Sequence, residues 1–153
     1  MRQAIPPHSF ARPNNALSFH TFIQAEVADG GFDFFDGQFD EALAALDRGT
    51  ETAASTGESH YRAELYRLRG AVLAETREAA EAASWFQQAI DTARSQQAKS
   101  LELRAATSLA RLRVGQGQRA EARNLLAPVY GWFTEGFDTA DLKDAKALLD
   151  ELA

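Results

Sequence analysis

The sequence predicts an all-α fold: a right-handed solenoid of helical hairpins, with three repeats of 40 residues and a C-terminal capping helix. Three observations predict it. First, one small-and-apolar constellation recurs with a fixed period. Gly70, Ala82, Phe86 and Ala89 are preceded 40 residues earlier by Gly30, Ala42, Leu46 and Gly49, and followed 40 later by Ala110, Ala122, Leu126 and Val129. A fixed period of this length marks a stack of helical units, each too small to bury its apolar face alone. Second, turn signals keep the same period, at Gly37, Arg77 and Gly117. Third, beyond Asn14 only Pro128 interrupts a chain rich in Ala, Leu, Glu, Arg and Gln, the residues that favour helix.

Residues 1–15 form a tail, because Pro6, Pro7 and Pro13 block helix, and residues 16–153 form the helical domain. Asn14 or Asn15 caps a first helix over Ala16 to Phe35, with Phe19, Phe22, Ile23 and Val27 as its apolar stripe. A second helix runs from Phe39 to Thr56 and stops at Gly57. The third spans Ser59 to Glu75, the fourth Glu78 to Gln97 and the fifth Ser100 to Gly115. The sixth follows the Gln116-Gly117-Gln118 turn and reaches Glu135. Asp138 caps the seventh, with Asp141 in its first turn and Leu142, Ala145, Leu148, Leu149 and Leu152 as its stripe. Arg77 is the odd member among the turns, so its turn should be strained or built differently.

Charge and composition narrow the function. The net charge of −6 argues against nucleic acid as a partner. It is unevenly spread: residues 62–123 carry eleven Lys and Arg against seven Asp and Glu, and both flanks are acidic. There is no cysteine, hence no disulfide or thiolate chemistry, and no run of about 18 apolar residues to span a membrane. A cytoplasmic protein is expected, with no cofactor.

The chemistry-bearing residues do not assemble into a known site. Ala98-Lys99-Ser100 lacks the glycines of a phosphate loop. His8, His20 and His60 have no ligand spacing. The paired acids, such as Asp40 with Glu41 and Asp150 with Glu151, read as solvated helix faces rather than two carboxyls across a cleft. Aromatic residues cluster at both ends: Phe32, Phe34, Phe35 and Phe39 at one, Tyr130, Trp132, Phe133 and Phe137 at the other. The second group is expected to pack under the capping helix, and Trp85 between repeats. The first hairpin has no predecessor, so its surplus of aromatic residues predicts a homodimer through the N-terminal hairpin, or a tail folded back over it.

The Gly70, Ala82, Phe86 and Ala89 spacing resembles a tetratricopeptide repeat, with Tyr66 in the place of the motif's Trp. Arg69 and Leu73 depart from the motif's Leu and Tyr, and the period exceeds the usual length of about 34 residues. The stretches AELYRLRGAVLAE, QQAKSLELRAATSLARL and LLAPVYGWFTEGFDTADLKDAKALLDEL resemble the C-terminal helical region of large bacterial signalling proteins. Those carry a class III adenylate or guanylate cyclase domain, or a transcription-factor domain, on a signalling ATPase. The likeness implies a detached or truncated C-terminus with a sensing or protein-binding role. It transfers no cyclase or ATPase chemistry, because those residues are missing.

In a tetratricopeptide array the first helix of each pair lines the concave face. The period then aligns Gln24, Glu64 and Arg104 in one layer, Val27, Arg67 and Thr107 in the next, and Gly31, Ala71 and Arg111 in a third. Arg67, Arg104 and Arg111 could share a groove suited to an acidic peptide; alternatively they pair with Glu64, Glu75 or Glu102 on neighbouring helices. In a neighbouring copy that groove could also take the acidic segment Leu149–Ala153 or the acidic turn at residues 33–41. The expected function is a non-enzymatic protein-interaction module of a bacterial signalling system. The rival readings are a ligand-sensing regulatory fragment of a cyclase or signalling ATPase, and a homo-oligomerisation domain.

Overall fold

A computed structural model describes residues 39–57 and 59–153. The expected tail, the first helix with Gln24, the Gly37 turn and the N-terminal dimer surface lie outside the described residues. Within them the chain forms six α-helices and no strand: α1 (Phe39–Thr56), α2 (Arg62–Glu75), α3 (Ala79–Ser95), α4 (Lys99–Gly115), α5 (Arg119–Gly131) and α6 (Ala140–Leu152). A single 3-10 turn at Ser59–Tyr61 leads into α2. None of these helices is long and apolar enough to cross a membrane.

The helices repeat because their ends repeat. Gly57, Arg77, Gln97 and Gly117 all have positive φ, at 74°, 65°, 54° and 78°. After α2, α3 and α4 this residue closes the same double hydrogen bond. Arg77 N–H donates to Ala74 O and Glu78 N–H to Leu73 O; Gln97 and Ala98 do the same to Arg94 and Ala93; Gly117 and Gln118 to Val114 and Arg113. That is the Schellman arrangement, which satisfies carbonyls a helix end leaves bare. The carbonyl of the residue after each left-handed position then accepts from the first turn of the next helix: Glu78 from Ala82, Ala98 from Glu102, Gln118 from Ala122. One residue thus ends one helix and starts the next, and no side-chain cap is used at the starts of α3, α4 and α5. Each helix from α2 to α6 carries an acid in its first turn, where the helix dipole favours it.

The Arg77 turn therefore has the same geometry as the Gly117 turn. The sequence expectation of strain holds, since a non-glycine residue sits at positive φ. The alternative of a different construction does not.

Every helix packs on its successor; α2 also packs on α4, and α4 on α6. The residues of the recurring constellation fill these contacts. Ala42, Leu46, Ala82, Phe86, Ala89, Ala110, Ala122, Leu126 and Val129 are all buried, as are Gly49 and Gly70. A Cβ on Gly70 would lie 2.7 Å from two atoms of the Phe86 ring and 3.1 Å from the Ala82 carbonyl oxygen. The ring occupies the space that the missing side chain leaves. Arg69, which replaces the motif's Leu, lays its guanidinium 4.7 Å from the Trp85 ring centroid and pairs with Asp47 of α1. Tyr66 meets the same indole at 5.3 Å.

Two expected boundaries move. α5 ends at Gly131 rather than Glu135: Trp132 N–H donates to Val129 O and Phe133 N–H to Tyr130 O, tightening the last turn. The residue before α6 is Thr139 rather than Asp138, with extended backbone and no side-chain cap bond, and Lys143 N–H donates to the Thr139 carbonyl. The apolar stripe of α6 is as expected: Leu142, Ala145, Leu148 and Leu152 are buried and Leu149 is partly so. Its opposite face carries the exposed Lys143, Lys146, Asp150 and Glu151.

Candidate functional site

The residues aligned by the period meet where α2, α4 and α6 lie side by side. Glu64 is only 3% exposed. It sits in the first turn of α2, and Arg67 follows one turn later on the same face. Arg67 grips it with two bonds, Nε to Oε2 at 3.0 Å and Nη2 to Oε1 at 2.7 Å. Arg104 of α4 donates Nη1 to the same Oε1 at 3.3 Å. Arg104 also reaches α6, donating Nη2 to Asp141 Oδ2 at 2.9 Å. A ladder of alternating charge thus runs Arg67, Glu64, Arg104, Asp141 across three helices.

Burial alone would raise the Glu64 carboxyl pKa. The charges and hydrogen bonds of Arg67 and Arg104 outweigh that, and hold it below the usual carboxylate range. Arg104 behaves in the mirror sense: burial opposes its charge, but Asp141 and Glu64 push its pKa up. A second buried carboxylate, Glu102, follows the same logic with Arg94 at 2.7 Å and Lys99 at 2.9 Å. Burial raises its pKa and the hydrogen bonds of these two cations more than reverse it.

The structure therefore separates the residues expected to line one groove. Glu64, Arg67 and Arg104 come together as an internal ion-pair network. Arg67 also donates to the Ser108 hydroxyl at 3.4 Å. Thr107 turns inward, buried, with its hydroxyl on the Leu103 carbonyl at 2.8 Å. Arg111 differs from the rest. Its side chain is 51% exposed and it pairs with Asp144, itself 49% exposed. Of the acids expected as partners, Glu64 does pair with these arginines; Glu102 serves Arg94 and Lys99 instead.

Asp141 and Asp144 are the members that sequence reasoning missed. They lie 37 and 33 residues from their arginines, off the forty-residue period, because the α5–α6 connection breaks it. No spacing announced them: Asp141 and Asp144 stand one turn apart on α6, whereas Arg104 and Arg111 stand two turns apart on α4.

The C-terminal aromatic group is split. Tyr130 and Phe133 pack partly buried against the core, whereas Trp132 and Phe137 are 58% and 47% exposed, so the four are not buried together as expected. Lys99 Nζ stands 5.4 Å from the Trp132 ring centroid. Among the described residues no group of three or more His, Cys, Asp or Glu could hold a metal ion. Compared with known proteins, the chain matches no family model, no curated protein and no solved structure.

Proposed function

We propose that this chain is a non-enzymatic protein-interaction module, a tetratricopeptide-like right-handed solenoid, that takes an acidic segment of a partner protein along the face of α2, α4 and α6. The packing of each helix on its successor, and of α2 on α4 and α4 on α6, supports the solenoid reading. The resemblance to the C-terminal regions of bacterial cyclase and signalling-ATPase proteins supports a place in cytoplasmic signalling.

The observation that carries the site is Arg111. Its ion pair joins two half-exposed side chains. Such pairs contribute about 0–1 kcal/mol, so an incoming carboxylate replaces the partner at little cost. Arg67 and Arg104 cannot serve this way, because they neutralise the buried Glu64. A guanidinium fork takes a carboxylate at two points. Binding is modest and falls as salt rises, since the screening length is about 10 Å at 0.1 M.

Fluorescence anisotropy of a labelled hexaglutamate peptide at low ionic strength tests this reading. Wild-type protein binds it, and Arg111→Ala binds it several-fold more weakly with an unchanged melting temperature. An Arg111→Ala variant that binds like wild type would show that this face is not the site.

A further inference from the structure

We propose that Asp144 is a built-in competitor: it holds Arg111 in the unliganded chain and must be displaced by the carboxylate of an acidic ligand. The inference rests on the reading of Arg111 as the anchoring cation, and adds how that cation is regulated. The carboxylate already seated on Arg111 shows what chemistry the position accepts.

The neighbouring contacts show why Asp144 gives way while Asp141 does not. Asp141 is bound by an arginine that also serves a buried acid, so losing it unbalances the whole ladder. Asp144 contacts only the exposed end of Arg111, and its departure leaves both groups in water. Contacts between α2 and α4 at separations of 40 and 41 residues fix the register of the two helices. That register sets Ala71 of α2 across from Arg111. Within the chain the group on Arg111 is Asp144, while Asp150 pairs with Lys146 on its own helix at 2.7 Å.

Two carboxylates on one helix make the test specific. Asp144→Ala frees Arg111; Asp150→Ala removes the same charge from α6 without touching Arg111. Titrating labelled hexaglutamate, the inference expects Asp144→Ala to tighten binding about two- to fivefold, the size of one exposed ion pair. It expects Asp150→Ala to change affinity much less. It also expects the double variant Arg111→Ala/Asp144→Ala to bind no better than Arg111→Ala. Melting curves confirm that each variant is folded. Equal tightening by both Asp variants would reduce the effect to net charge and overturn the competitor role. Unchanged affinity in Asp144→Ala, with binding lost in Arg111→Ala, overturns the competitor but keeps the site. Unchanged affinity in Arg111→Ala overturns both.

Discussion

The hairpins α2–α3 and α4–α5 share one turn geometry and differ in the side chains at positions forty residues apart. Where the first has Gly70 against Phe86, the second has Ala110 and Leu126, all of them buried. Where the first turns through Arg77, the second turns through Gly117, with φ of 65° and 78°. Where the first places Glu64, the second places Arg104, and the two bond to each other at 3.3 Å. Buried positions forty residues apart thus hold different residue types beside the same turn geometry. A methyl added on one helix is matched by a smaller side chain on the next, as close packing demands. Opposite charges at positions forty residues apart join α2 to α4.

The largest test of this comparison is Phe86→Ala. The ring fills the notch over Gly70, so its loss leaves a cavity and should cost about 3–5 kcal/mol in urea denaturation. An unshifted transition would mean that the ring is not the core element described. Next is Gly70→Ala, which imitates α4 in α2 alone. It gains up to about 1 kcal/mol of helix propensity, but drives a methyl into the ring and a backbone carbonyl, at about 1–3 kcal/mol. Gly115→Ala is its control. Apart from its chain neighbours and its own helix backbone, nothing lies within 4 Å of the added methyl, so that variant should be neutral or more stable by up to about 1 kcal/mol.

Acid probes the charged joint. The folded Glu64 pKa lies below its unfolded value of about 4.3, so the unfolded chain binds the proton more readily. Its stabilisation is complete above that pH and is lost as pH falls through the folded pKa. Stability measured from pH 6 to pH 3 should therefore fall less steeply in Glu64→Gln than in wild type. Identical slopes would contradict the ladder. The smallest expected effect is Arg77→Gly, which copies the second turn into the first. Relief at positive φ and the greater chain entropy of glycine oppose each other, leaving a change within about 1 kcal/mol. A larger loss would assign the Arg77 side chain a role beyond the turn.

Much of this was legible in the sequence, where the physics is local. Constellation spacing located α1 to α5, and the leucine stripe located α6. Gln97 was not legible as a left-handed residue, because nothing in a glutamine signals positive φ; only equivalence with Gly57, Arg77 and Gly117 at a spacing of 20 residues reveals it. The end of α5 was misplaced because the glycine at 136 lies in a later turn; the helix already closes at Gly131 with hydrogen bonds three residues back. At the candidate site, the period aligned Glu64 with Arg104 and left two readings open, a lined groove or ion pairs between neighbouring helices, of which the Glu64 pairing forms. That they bond to each other follows from opposite charge at close approach, and that α6 supplies the remaining acids depends on a connection outside the period.

The central claim, that the two hairpins are one packing unit with compensating side chains, is tested most directly by a double-mutant cycle. Gly70→Ala, Phe86→Leu and the double variant are compared by urea denaturation; the double variant gives α2–α3 the pair found in α4–α5. Compensation requires that each single change destabilises and that the double variant recovers at least about 1 kcal/mol of the summed loss, as contacting residues do. Strict additivity, within about 0.3–0.5 kcal/mol, would contradict it.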